Sequence, residues 1–254
     1  MKEIISLIIR FVPRKYLQLV SHIGAKALSI FYIGKGVQCP VCQHSYREFL
    51  PYGRKGRDNA LCPNCLALER HRLMYLYLQR KTNFFKDSIK LLHVAPEYCF
   101  IDRFEKQKNL EYITADIESP LAKVKMDIHH IPFAENTFDV AFCNHVMEHV
   151  DDYVKATSEL YRVLKPGGWA IIQSPQDMSR ATTYEDSTIT DPREREKHFW
   201  QSDHLRLFGR DYNKCLEKGG FTVIEDRFVM DELPKEEVKK YALPTNEIIY
   251  LCKK

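Results

Sequence analysis

Two cysteine pairs constrain this chain more than any other feature. Cys39-Pro40-Val41-Cys42 is followed, 19 residues on, by Cys62-Pro63-Asn64-Cys65. A C-x2-C-x19-C-x2-C spacing suits two tight knuckle turns, each presenting two sulfurs to one tetrahedral Zn²⁺, as in a zinc ribbon. Four thiolates close the coordination sphere, so such a site is structural and activates no water. Paired cysteines can instead form disulfides. The apolar run 4–9 is stopped by Arg10 and has no small-residue cleavage site after it, so no secretory signal is read. A reducing cytoplasm is therefore expected, and Cys39, Cys42, Cys62 and Cys65 are read as zinc ligands. Cys99, Cys143, Cys215 and Cys252 lie among apolar neighbours and read as small buried hydrophobes.

With 254 residues, 44% of them hydrophobic, the chain can bury a core for one large domain plus an appendage, or for two modest domains. No run approaches the ~18 apolar residues of a transmembrane helix. The net charge of +4 does not by itself demand nucleic acid. Its distribution is uneven: residues 1–35 carry six basic side chains and one acid, a net +5, leaving −1 for the rest. There Leu19, Val20, Ile23, Ala27, Ile30 and Phe31 recur at helical spacing after Pro13. Residues 1–35 are read as a basic amphipathic helical segment. It either packs on the protein's own domain or, through residues 1–33, contacts the inner membrane surface peripherally. The cysteine module is assigned to 36–70, a connecting helix to 71–88 and the main domain to 89–254. Between the cysteine pairs, residues 46–57 mix aromatics with arginine and lysine. That stretch reads as a strand pair with a solvated loop, or as a surface on which bases stack.

From residue 89 onward, apolar runs alternate with helical patterns. Strands are expected at 90–95, 111–115, 124–128, 138–143, 169–173, 221–228 and 247–252. Helices are expected at 100–108, 151–164 and 211–218, with Lys165-Pro166-Gly167-Gly168 breaking the second of these. The alternation predicts an α/β fold with a doubly wound, mainly parallel sheet. Ligands of such sheets sit beyond the carboxyl ends of the strands. Those ends hold His93-Val94-Ala95-Pro96-Glu97, Asp116-Ile117, Asp127-Ile128 and Asn144-His145. An acid some 20 residues past the first strand can accept hydrogen bonds from ribose hydroxyls, which suits Asp116. Asp127 and the neighbouring backbone N–H can read an adenine edge. Taken singly, each acid reads equally well as a helix cap or turn residue.

Residues 89–175 resemble a class I S-adenosylmethionine-dependent methyltransferase of the type 11 family. The resemblance rests on Asp127-Ile128, Ile131-Pro132-Phe133, Thr137-Phe138-Asp139-Val140, His145-Val146-Met147-Glu148-His149-Val150 and Arg162-Val163-Leu164-Lys165-Pro166-Gly167-Gly168, in the family's order. It implies a seven-stranded Rossmann-like sheet and S-adenosyl-L-methionine as cofactor. Asp116 and Ile117 would hold the ribose, Asp127 and Ile128 the adenine, and Asn144 would lie near the methionine part and the substrate. One departure stands out. The family's first motif is glycine-rich, whereas here Ala95 stands at the first glycine position, followed by Pro96. Alanine takes positive φ only at a cost. The loop is therefore expected to run differently, with His93 and Ala95 beside the cofactor and Glu97 meeting its ammonium group, or cofactor binding is lost. Over nearly the whole chain there is also similarity to bacterial proteins that join a cysteine-pair module to this domain in surface-glycan biosynthesis.

His145-Val146-Met147-Glu148-His149 also fits the inverted zinc-protease pattern H-x-x-E-H, which needs both histidines on one helix face. Residues 176–210 form an insert placed to cover the crevice as a lid. Within it His198, Asp203, His204 and Arg206 are candidates for an acidic or sugar-like substrate, set against a solvated charged lid. Methyl transfer to a hydroxyl needs a base near neutral pH, and His145 and His204, the latter oriented by Asp203, are the catalytic candidates. Three functions follow: O-methylation of a small molecule, glycan or lipid-linked sugar; RNA base methylation with the cysteine module gripping RNA; and a non-catalytic scaffold.

Overall fold

The computed structural model describes residues 24–53 and 56–254. Most of the basic N-terminal segment, residues 1–23, lies outside the described residues. Helical residues 24–29 and a 3-10 turn Ile30–Tyr32 lead into the cysteine module. The module is two antiparallel pairs: β1 (Ile33–Gln38) with β2 (Ser45–Tyr46), and β3 (Leu50–Tyr52) with β4 (Arg57–Leu61). Within 46–57, the described residues include β3 and the first residue of β4.

Helix α1 (Glu69–Lys81) follows, and every residue from His71 to Leu78 is buried. The expected connecting helix is therefore a core element. It joins the module to a seven-stranded sheet of order β12-β13-β9-β8-β5-β6-β7. Here β5 is Ile89–Val94, β6 Leu110–Asp116, β7 Val124–Lys125, β8 Phe138–Asn144, β9 Leu164–Gln173, β12 Thr222–Asp226 and β13 Ile249–Lys253. Strands β5 to β9 pair in parallel and β13 runs antiparallel between β9 and β12. The strand expected at 124–128 is only two residues long. Strand β9 begins earlier than expected and runs through Lys165-Pro166-Gly167-Gly168. The chain end accounts for that: Gly167 N–H donates to the Lys254 carbonyl and Lys254 N–H to the Gly168 carbonyl.

Alternate residues along each central strand serve opposite faces, as strand geometry requires. Leu91, Val140, Phe142 and Ile171 belong to one apolar core with Phe100 and Phe104 of α2 (Tyr98–Glu105), most of buried α1, and Val37, Cys39, Val41, Phe49 and Cys62 of the module. Leu92, Ala141, Cys143 and Ile172 belong to the other, with Ala156, Leu160 and Val163 of α3 (Tyr153–Val163). So the cysteine module is no appendage; it completes one layer of the sandwich.

Arg72 shows how tightly. It is fully buried, and its five N–H donors reach the carbonyls of Asn59, Ala60 and Ala67 in the module and of Tyr241 and Ala242 near the C-terminus, at 2.6–3.1 Å. A guanidinium has five N–H donors, and all are satisfied. Phe49 lies under it, 4.3 Å from ring centre to guanidinium carbon.

The insert holds β10 (Tyr184–Glu185), α4 (Pro192–Phe199) and β11 (Arg206–Leu207), followed by α5 (Tyr212–Glu217). Two further short helices, α6 (Phe228–Asp231) and α7 (Lys235–Lys240), precede β13. No helix among the described residues is long and apolar enough to cross a membrane.

Candidate active site

The carboxyl ends of β5, β6 and β8 lie side by side at one edge of the sheet, where the ligand crevice of such a fold is expected. Ala95 takes the left-handed conformation, φ +50°, and its N–H donates to the Ala115 carbonyl at 2.9 Å. The obstacle expected from a missing glycine is therefore met by strain: the turn keeps a glycine-like path on an alanine. It leads into α2, whose N-cap residue is Glu97.

The Glu97 side chain caps nothing and enters a buried mesh instead. His93, fully buried, lies 2.5 Å from Glu97 Oε2 through Nε2 and 2.8 Å from Tyr112 Oη through Nδ1. Asn144 Nδ2 donates to Glu97 Oε1 at 3.0 Å. His71 Nε2, from α1, stands 3.8 Å from the same oxygen. Burial alone would raise the Glu97 pKa, but the charge and hydrogen bond of His93, with the hydrogen bond from Asn144, outweigh it and hold the carboxyl at about 2. Both oxygens already have protein partners, so contact with an ammonium group would share them.

Sequence reasoning missed the start of α1. His71 Nδ1 accepts from Leu68 N–H at 3.2 Å, which places its proton on Nε2. Burial pushes the His71 pKa well below its ordinary value, so the ring is neutral. Three buried polar atoms here lack hydrogen-bond partners: Arg70 Nε, His71 Nε2 and Asn144 Oδ1. Glu247, pushed up by burial and opposed by Arg70 and His145, stands near them. Two orphaned donors and one orphaned acceptor match an amino-acid end, which offers a carboxylate to the donors and an ammonium to the acceptor. Nothing in the one-dimensional pattern marks Arg70 or His71, because they precede the matched domain and arrive by folding.

At the other end, Asp116 is half-buried and its Oδ1 accepts N–H bonds from Glu118 at 2.7 Å and Ser119 at 2.6 Å. That turn fixes the carboxylate. Ile117 beside it is 56% exposed. Asp127 is exposed, and backbone and ring bonds from His129, at 2.9 and 2.8 Å, hold its pKa below the ordinary value. The Ile128 side chain is buried, so its backbone is the part left to recognise a ligand.

His145 follows β8 with φ +57°, and its N–H donates to the Gln173 carbonyl at 2.7 Å. Its ring is 30% exposed and lies 3.3 Å from Glu148 Oε1 through Nδ1. Residues 145–150 form a turn, not a helix, so the shared helix face that the protease reading needs does not exist.

The insert corrects two expectations. His204 is 1% exposed, its Nδ1 is 2.8 Å from the Phe199 carbonyl, and burial lowers its pKa. The Asp203 carboxylate lies 3.7 Å from His149 Nδ1, and it is the Phe199 carbonyl that orients His204. Arg206, also 1% exposed, directs its donors to the carbonyls of Met147, Val150 and Asp151 and to Glu185, so it is a strut and not a substrate ligand. His198 stays on the surface, 3.2 Å from Tyr184 Oη.

The four cysteines converge. Cys39 and Cys65 sulfurs are 3.6 Å apart and those of Cys42 and Cys62 3.7 Å, close to the ~3.8 Å edge of a tetrahedron with ~2.3 Å Zn–S bonds. The two knuckles repeat one geometry. Gln43 N–H donates to the Cys39 carbonyl and Leu66 N–H to the Cys62 carbonyl, with Gln43 and Leu66 at φ +65° and +61°. The donor set and its spacing fit a structural metal ion.

Comparison with known proteins agrees with this geometry. Residues 93–172 match a family model described as a methyltransferase domain (Methyltransf_11). The chain therefore carries a methyltransferase domain, built on a Rossmann-like sheet. A ubiquinone/menaquinone biosynthesis C-methyltransferase (UbiE) of Haemophilus ducreyi is 38% identical over 64 residues, 25% of this chain and 20% of that protein. A tRNA U34 carboxymethyltransferase of Campylobacter curvus is 33% identical over 96 residues, 36% of this chain and 28% of that protein. An uncharacterized protein of Methanocaldococcus jannaschii is 46% identical over 50 residues, covering 22% of its length. The chain thus spans less than a third of the curated relatives it matches. Among solved structures, a SAM-dependent methyltransferase from Archaeoglobus fulgidus superposes with TM-score 0.48 at 18% identity, covering 72% of this chain and 93% of that one.

Proposed function

We propose that the protein is an S-adenosylmethionine-dependent methyltransferase acting on a hydroxyl of a small molecule, glycan or lipid-linked sugar. The observation that carries it is the pairing, in one crevice of a methyltransferase domain, of a fixed carboxylate at Asp116 with the orphaned atoms of Arg70, His71 and Asn144. The cofactor, when bound, supplies an electrophilic methyl group on a sulfonium. Asp116 would hold the ribose, Asp127 and the Ile128 backbone the adenine, and Arg70, His71 and Asn144 the amino-acid end. The chain's main contribution is alignment, since in-line displacement depends on geometry. His145, partly exposed at the end of β8, is the base that takes the hydroxyl proton. The four thiolates hold Zn²⁺ and keep α1, with Arg70 and His71, against the sheet. Residues 1–33 contact an anionic inner-membrane surface, where a lipid-linked acceptor would lie; Ile30, Phe31 and Ile33 are exposed there after Lys26.

RNA methylation is the second reading, favoured by similarity to the tRNA enzyme. Against it, Arg57 of the cysteine module is paired with Glu69 at 2.9 Å and Arg47 covers the Tyr32 ring. Incubation with methyl-labelled cofactor and fractionated cell extract separates the two. Label in the glycan or small-molecule fraction is expected, and label confined to RNA would overturn the reading.

A further inference from the structure

One polar cluster lies apart from the crevice mesh. Glu148, His149 and His204 each offer one ligand atom, all within 4.8 Å of one another. The Phe199 carbonyl, 2.8 Å from His204 Nδ1, fixes the proton there and leaves the Nε2 lone pair, which is buried without a partner. Glu148 is 1% exposed. Its Oε2 accepts the Ser174 hydroxyl at 2.8 Å, and Ser174 Oγ accepts from Tyr212 Oη at 3.2 Å. Glu148 Oε1 is buried and makes no hydrogen bond; it stands 3.3 Å from His145 Nδ1 and 4.0 Å from His149 Nε2. His149 Nδ1 is 3.2 Å from the Asp203 carbonyl, which leaves Nε2 on the Glu148 side. An imidazole nitrogen and a carboxylate oxygen, both acceptors, are therefore buried in one cluster, where the nitrogen has no donor and the oxygen has only His145 Nδ1 at 3.3 Å. Each such group left unsatisfied is costly. A cation satisfies both at once.

We infer that Glu148, His149 and His204 bind a divalent transition-metal ion. Two imidazoles and one carboxylate are the donor set of open zinc sites, which keep a fourth position for water or substrate. The outer partners such a site needs are in place: the Phe199 carbonyl sets the His204 tautomer, and Ser174 with Tyr212 sets the carboxylate. One negative charge with two neutral rings suits a dication. The fourth ligand is an oxygen, from water or from a hydroxyl. That the hydroxyl belongs to the methyl acceptor, and loses its proton more easily on the ion, rests on the methyl-transfer reading; metal binding itself does not.

The test is metal stoichiometry of the full chain equilibrated with micromolar free Zn²⁺, by mass spectrometry after gel filtration. Wild type should hold two zinc ions. His149→Ala and His204→Ala should hold one, with the second site weakened at least tenfold. Titration with Co²⁺ keeps the answer independent of whether a variant folds. The first equivalent should give thiolate charge-transfer absorption, and the second only weaker ligand-field bands of nitrogen and oxygen ligands. One zinc in the wild type, two in a folded variant, or thiolate absorption from the second equivalent would each overturn the assignment. None of these readouts depends on cofactor binding or methyl transfer, so the metal site can fail while the methyltransferase reading stands.

Discussion

The two ends of the crevice are built by different means. Around Asp116 and Asp127 each carboxylate is set by its own turn, through N–H groups two or three residues away. Around Glu97 the partners come from α1, β5 and β8, with residue separations from 4 to 47, and Tyr112 of β6 holds His93 in turn. The first end is local chemistry and needs little of the rest of the fold. The second depends on the cysteine module, because α1 is held from one side by that module and from the other by the sheet. A cofactor lying across both would join a preformed half to one that a metal ion on the four cysteines would assemble.

The strongest way to break this comparison is to disable the metal. Structural zinc sites contribute about 10–16 kcal/mol of apparent binding free energy to small domains. Cys62→Ser should abolish cooperative folding of residues 36–81 and cofactor affinity together, seen as protease sensitivity confined to that region and a flat titration. Unchanged affinity would mean the second end stands without the module.

Next is Arg72→Ala, which strips five backbone carbonyls of their donor and leaves the chain uncut. A loss of about 3–5 kcal/mol is expected, comparable to breaking a buried ionic contact. It should read as a lower urea midpoint at unchanged slope.

Glu97 sharpens the comparison through pH. Its folded pKa of about 2 lies below the ordinary carboxylate value of 4.5, so its contribution is complete above pH ~4.5 and is lost as pH falls through that value toward 2. The shift corresponds to about 3 kcal/mol. Glu97→Gln should flatten the stability–pH curve between pH 5 and 2, while Asp127→Asn, at an exposed carboxylate, should barely alter it. Equal effects would erase the distinction between the ends.

The smallest effect is Ala95→Gly. Releasing an alanine from φ +50° returns ~1–2 kcal/mol, and glycine's extra unfolded freedom takes back ~0.5–1 kcal/mol. A net gain of about 0.5–1 kcal/mol in urea unfolding is expected, and destabilisation would show that the turn is not strained.

What the sequence disclosed follows the same division. The sheet, its strand ends, the cysteine knuckles and the turns at Asp116 and Asp127 were legible because period, spacing and local turn chemistry fix them. The role of α1 was not legible. His71 and Arg70 read as ordinary helix residues, and only packing brings them to Glu97 and Asn144. His204 and Arg206 misled for a related reason. A histidine and an arginine in a charged insert suggest a solvated lid, yet both are buried, His204 held through Nδ1 by the Phe199 carbonyl and Arg206 spent on backbone carbonyls and Glu185. Composition reports charge, but it does not report whether a charge has been spent inside the fold.

The central claim is that both ends of this crevice hold one S-adenosylmethionine. Calorimetric titration of zinc-loaded protein with that cofactor and its demethylated product tests it directly. The account predicts micromolar binding of both. Asp116→Ala should weaken it at least tenfold, since hydrogen bonds to a charged group contribute about 1.5–3 kcal/mol each. No heat of binding from folded, zinc-loaded protein, or an Asp116→Ala variant that binds as tightly as wild type, would contradict it.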